Sequence, residues 1–145
     1  MKRKPFKIYV ADDDEDDCLL IKHVFENLQP TCELSFFKDG DKLLMTLLTS
    51  KLDDLPSLIL LDLNMPNMDG YEVLKTMRSH ALLKQTPVLM LTGSNMEEAI
   101  RNCYSLGANS YMTKPSSYSK LTELLTTAHQ YWFKTVSVPS MVRTF

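Results

Sequence analysis

Glycine is scarce in this chain, with four residues in 145, and cysteine scarcer still, with three. Each shortage removes a class of function. Cys18, Cys32 and Cys103 are odd in number, widely spaced and never paired as CxxC. They offer neither a disulfide framework nor a thiolate zinc site, and they fit reduced thiols in a cytoplasmic protein. His23, His80 and His129 have no carboxylate or cysteine at ligand spacing, so they read as surface or amphipathic-face residues. Apolar runs are short. Leu58-Ile59-Leu60-Leu61 is typical, whereas a bilayer span needs about 20 residues. The basic start, Met1-Lys2-Arg3-Lys4-Pro5, leads into no signal-peptide core. Neither sign of charge dominates, and a net charge of −2 gives no pull toward nucleic acid or anionic membrane. Repeats, linkers and low-complexity segments are missing too.

What remains is ordinary globular material: 44% hydrophobic and 23% charged residues, at a length that suits one domain with a real core. Apolar runs and amphipathic stretches alternate along it. Strands are expected at Ile8-Tyr9-Val10-Ala11, at 34–37, at Leu58-Ile59-Leu60-Leu61, at Val88-Leu89-Met90-Leu91 and at 110–113. Between them, helical periodicity runs through Leu20, Ile21, Val24 and Phe25, then Leu43, Leu44 and Leu47, then Val73, Leu74 and Met77, then Ala99, Ile100 and Cys103. Leu121, Leu124, Leu125 and Ala128 mark a last helix, and Gly107 is placed to end the one before it. Five β–α units in order predict an α/β fold, a doubly wound five-stranded parallel sheet with helices on both faces.

In such sheets, sites form at the carboxyl ends of the strands where strand order reverses. Strand one ends in Asp12-Asp13, strand three in Asp62 followed by Leu63-Asn64-Met65-Pro66, strand four in Thr92-Gly93 and strand five in Thr113-Lys114-Pro115. One acid at a strand end is usually a solvated loop residue. Three carboxylates, a hydroxyl and a lysine on one rim are harder to dismiss. Clustered acids repel one another unless a cation lies among them, and a few carboxylates with carbonyl and water oxygens suit Mg²⁺. Asp62 then fits a nucleophile for phosphoryl transfer. Thr92 can donate to a phosphoryl oxygen, and Lys114 supplies a compact positive charge.

The combination of Asp12-Asp13, the segment Leu60-Leu61-Asp62-Leu63-Asn64-Met65-Pro66-Asn67-Met68-Asp69-Gly70, Thr92, and Tyr111-Met112-Thr113-Lys114-Pro115 resembles response regulator receiver domains. The resemblance implies the flavodoxin-like (βα)5 receiver fold over 6–132, with 133–145 as a C-terminal extension. It implies that Asp62 accepts phosphoryl from a histidine kinase or a phosphotransfer protein. Asp13 and Asp62 would be direct Mg²⁺ ligands, the backbone carbonyl of Asn64 a third, and Asp12 would act through water. Thr92 and Lys114 would form the phosphoryl-sensing pair, Lys114–Pro115 would be cis, and Tyr111 would be the switch aromatic. The chain is expected to be a stand-alone signalling phosphoacceptor in a phosphorelay rather than a turnover enzyme. Its ending, Trp132-Phe133 with Val136-Ser137-Val138-Pro139, is similar to single-domain regulators that partner bacterial phytochrome-type kinases.

Six acids in succession, 12–17, leave the ligand choice to register. Counting back from Leu20 puts Asp12 and Asp13 at the strand end and leaves Asp14, Glu15, Asp16 and Asp17 as solvated capping charge near the positive end of a helix, with extra negative potential that strengthens metal attraction as the alternative. Rival readings fail on single positions. A calcium loop with Gly70 sixth would begin at Met65 and end at Thr76, where acids are required. An aspartyl phosphohydrolase needs an acid two residues after its nucleophile, and that residue is Asn64. A flavin-binding relative needs a small-residue phosphate loop after strand one, and 12–17 would repel a phosphate.

Tyr131, Trp132, Phe133, Val136 and Val138 put more apolar surface after the last helix than a closed domain requires. Two readings stay open. One packs the segment across a two-fold axis with helix five in a homodimer, and the other folds it back over its own domain.

Overall fold

Five strands, each followed by a helix, make up the computed structural model, which describes residues 5–138. The elements are β1 (Phe6–Ala11), α1 (Glu15–Glu26), β2 (Cys32–Phe37), α2 (Gly40–Thr49), β3 (Leu58–Leu61), α3 (Gly70–Ser79), β4 (Val88–Thr92), α4 (Glu97–Ser105), β5 (Ser110–Thr113) and α5 (Tyr118–Gln130). A short 3-10 turn (Leu52–Asp54) precedes β3, and a π-helical turn (Tyr131–Thr135) continues α5. All neighbouring strands pair in parallel, in the order β2-β1-β3-β4-β5. The chain therefore winds one way from β1 to β2 and the other way from β3 onward. The β1/β3 seam is the reversal point, as the fold class expected.

Strand alternation sorts the core into two layers. Tyr9, Ala11, Ile59, Leu61, Val88 and Met90 face α2 and α3 with Leu43, Leu47, Val73, Leu74 and Met77. Ile8, Val10, Leu58, Leu60, Leu89 and Leu91 face α1 and α5 with Ile21, Val24, Phe25 and Leu125. Every residue of β3 and β4 is buried, which is why both read as continuous apolar runs.

Four helices start on a side-chain cap. Asp14, Asp39, Asp69 and Ser117 accept from the backbone N–H groups of Asp17, Lys42, Glu72 and Lys120, each contact contributing about 1 kcal/mol. Three of these caps follow β1, β2 and β3, so they fix how the helices leave the rim where the site lies. Capping by Asp14 also starts α1 at Glu15, five residues before Leu20, the first residue of the apolar periodicity. Gly107 ends α4 with φ 104°, and a Cβ there would sit 2.9 Å from the Arg78 side chain. The cis bond among the described residues is Gln29–Pro30; Lys114–Pro115 is trans, a correction to the resemblance.

The residues after α5 lie against their own domain. Phe133 is buried and stacks on Phe6 with ring centroids 4.1 Å apart. Val138 is buried, Trp132 packs partly on the α1/α5 layer, and Tyr131 is half exposed. Residues 139–145 of the extension lie outside the described residues.

Candidate functional site

Backbone pairing carries past the strand ends and aims the acids. The N–H of Asp12 donates to the Phe37 carbonyl at 2.9 Å, and that of Asp62 donates to the Ala11 carbonyl at 2.9 Å. Asp12 and Asp62 therefore stand side by side on the seam, with only 2% and 6% of their surface exposed. Asp13 follows in the open loop. Carboxylate oxygens of Asp12, Asp13 and Asp62 all lie within 4.8 Å of one another. Asp62 also accepts a long 3.4 Å hydrogen bond from the Asn64 N–H. Gly70 is held against this loop by donating to the Leu63 carbonyl at 2.9 Å, and a Cβ there would collide with the Asp62 carbonyl.

From the far side, the N–H of Lys114 donates to the Thr92 carbonyl at 2.8 Å, which prolongs the β4–β5 ladder and points the lysine inward. Its Nζ lies 2.6 Å from Asp12 Oδ2, 2.8 Å from Asp17 Oδ2 and 3.3 Å from Asp62 Oδ2. Burial pushes the Asp12 carboxyl above its usual range, more than Lys114 and the Asp14 N–H pull it down. Burial pulls the Lys114 ammonium down, but hydrogen bonds to Asp12 and Asp17 and the Asp62 charge outweigh it, and its pKa rises. Asp12 rises through burial and Lys114 through its acid partners, and the carboxylates of Asp12, Asp13, Asp17 and Asp62 leave an excess of negative over positive charge here. A divalent cation would relieve that excess. The all-oxygen donor set of Asp12, Asp13 and Asp62 suits a hard one.

Thr92 shows the other deficit. Its side chain is fully buried, and Oγ1 has no hydrogen-bond partner. Such a group costs on the order of 1–3 kcal/mol unless something comes to meet it. Tyr111 on β5 is half buried and donates its hydroxyl to the Ser94 carbonyl at 2.7 Å, beyond Thr92. Asp12, Asp13, Asp62, Thr92 and Lys114 thus converge as the strand ends implied. Asn64 joins through its backbone, and its side chain is exposed.

One site residue was missed. Asp17 is not a merely solvated charge but a partner of Lys114. The signal was available: Ile21, four residues on, is buried, so Asp17 lies on the inward face of α1.

A family model described as "Response regulator receiver domain" matches residues 8–126. The chain belongs to the response regulator receiver domain family. Receiver domains are phosphoacceptors in two-component signalling, charged by histidine kinases or phosphotransfer proteins, and they bind a divalent metal. The chain is 34% identical over 130 residues to the probable methanogenesis regulatory protein FilR2 of Methanothrix harundinacea, covering 88% of this chain and 84% of that one. It is 32% identical over 139 residues to response regulator Rcp1 of Synechocystis, covering 94% and 95%. The phosphorylated cyanobacterial phytochrome response regulator RcpA superposes with a TM-score of 0.88 at 32% identity, over 94% of this chain and 99% of that one. Rcp1 in a Mn²⁺-bound form gives 0.86, also at 32% identity, over 93% and 99%. The expected family, its single-domain phytochrome-regulator relatives and the (βα)5 fold are borne out. No helix among the described residues is long and apolar enough to cross a membrane.

Proposed function

We propose that Asp62 is the residue of this receiver that carries the phosphoryl group, and that Asp12, Asp13 and Asp62, with the Asn64 carbonyl, hold Mg²⁺. The observation that carries this reading is the convergence of three carboxylates within 4.8 Å, with the Lys114 ammonium 3.3 Å from Asp62. An Asp62 oxygen attacks the phosphorus of a phosphohistidine. A P–O bond forms, the P–N bond breaks, and the imidazole nitrogen leaves with the electron pair. Bound Mg²⁺ would supply positive charge to the phosphoryl oxygens. Lys114, its Nζ 3.3 Å from Asp62 Oδ2, supplies a further charge, and the unpaired Thr92 hydroxyl turns to donate to a phosphoryl oxygen. That inward movement is the signal, and Tyr111 follows it on the α4–β5–α5 face.

Hydrolysis by water returns Asp62 to its carboxylate, with exposed Asn64 and nearby Ser94 setting access. The protein acts in the cytoplasm. Incubation with phosphoramidate and Mg²⁺ should add one phosphoryl group, which is then lost by autodephosphorylation. EDTA should prevent both steps. Labelling that EDTA leaves unchanged removes the metal from the reading.

A homodimer about α5 is a second reading, favoured by one feature. Tyr131 is half exposed, one helical turn beyond Thr127, which lines a shallow groove on α5 with Thr113, Pro115, Lys120, Glu123 and Leu124. Sedimentation with and without beryllofluoride tests it, and a monomer in both states at tens of micromolar removes it.

A further inference from the structure

Lys114 has three N–H donors, and three carboxylates from separate elements take them: Asp12 after β1, Asp62 after β3, and Asp17 on α1. A phosphoryl group on Asp62 adds charge of about −2 beside this ammonium and three strong acceptor oxygens. One existing acceptor has to yield. Asp12 is poorly suited, because its side chain is only 3% exposed and its contact is the shortest at 2.6 Å. Releasing it would strand a buried charge. Asp17 differs on both counts. Its side chain is 30% exposed and its contact is 2.8 Å.

The space beside it is suitable too. A cavity of about 110 Å³ lined by Asp17, Leu20, Lys114, Ser116, Ser117 and Tyr118 opens next to the ion pair. At about 30 Å³ per water, it can hold a few molecules to take up a released carboxylate.

We propose that Asp17 is a positioning residue for the phosphoryl-binding lysine: it holds Lys114 in the resting state, competes with the incoming phosphoryl group for it, and so weakens phosphoryl retention. This rests on the phosphoacceptor reading of Asp62. Through Lys114, α1 sets the strength of the site without touching the phosphoryl group itself. Exposed Asp16, one residue away and with the same charge, provides the matched control, because of the two neighbours Asp17 alone contacts the lysine.

The test measures beryllofluoride affinity at saturating Mg²⁺, followed by backbone amide shifts at Thr92 and Asn64. Asp17→Asn and Asp17→Ser are compared with Asp16→Asn, and a circular dichroism melt confirms that each is folded. Both Asp17 variants should bind about three-fold more tightly than wild type, and their phosphorylated forms should last longer by a similar factor. Asp16→Asn should match wild type. In a Lys114→Ala background the Asp17→Asn gain should vanish, which a purely structural role would not produce. Unchanged or weaker binding by the folded Asp17 variants overturns the inference alone, as does a gain that persists without Lys114. Wild-type protein that fails to bind beryllofluoride overturns the phosphoacceptor reading and this inference together.

Discussion

The N–H of Lys114 donates to the carbonyl of Thr92 at 2.8 Å, so the two residues that would grip a phosphoryl group are joined through one backbone hydrogen bond. The ends of β4 and β5 are therefore tied together by the backbone. Tyr111, three residues before Lys114 and bonded to the Ser94 carbonyl two residues after Thr92, closes the same loop.

The orphaned Thr92 hydroxyl separates stability from signalling. Thr92→Val keeps the shape and removes a buried donor that has no partner. Stability should hold or rise by about 1 kcal/mol, read as the urea midpoint. The amide shifts that beryllofluoride induces around Tyr111 should be lost. A large loss of stability would mean that the hydroxyl is satisfied in the resting state.

Metal ligands can be told from capping charge within one acid run. Asp13 lies within the 4.8 Å acid cluster, and Asp16 lies in the first turn of α1. Asp13→Ala should weaken Mg²⁺ binding roughly ten-fold or more, whereas Asp16→Ala should change it little. Equal losses in a titration would show that general negative potential, not coordination, attracts the ion.

Phe133 closes the domain rather than extending it. It is 7% exposed and stacked on Phe6, so Phe133→Ala should cost about 3 kcal/mol. Half-exposed Tyr131→Ala should stay within about 0.5 kcal/mol. Chemical denaturation of both variants checks the contrast, and equal small effects would indicate that the turn after α5 is only loosely attached.

His129 gives stability a pH dependence of known sign. Burial pulls its pKa below the ordinary value more than the hydrogen bond to the Pro30 carbonyl, 2.9 Å away, raises it, and Lys134 pulls it down further. The unfolded chain therefore binds more protons once the pH drops below about 6.5. The contribution is intact above that value and is lost as pH falls toward the folded pKa. Wild type should lose more stability between pH 7.5 and 5.5 than His129→Gln does. Parallel losses would mean that other groups carry the acid response.

Much of the fold was legible because burial on both faces writes itself into β3 and β4 as unbroken apolar runs, and period 3.6 marks every helix. Element starts were less legible. Asp14 caps α1 by a side-chain bond that no periodicity records, and Phe6 joins β1 by pairing in register with Cys32 of β2. At the site, the strand-end residues Asp12, Asp62, Thr92 and Lys114 could be placed because strand ends define the rim. Asp17 could not be placed as easily, because its role depends on how α1 crosses toward β5. The trans Lys114–Pro115 bond also departs from the resemblance, and nothing in the surrounding contacts explains it.

Locating the phosphoryl group tests the central assignment most directly. After treatment with phosphoramidate and Mg²⁺, tandem mass spectrometry of the digested protein should place one phosphoryl group on Asp62 of the wild type and none on Asp62→Asn. A group mapped to Asp12, Asp13 or Asp17 of the wild type, or full labelling of Asp62→Asn, would contradict it.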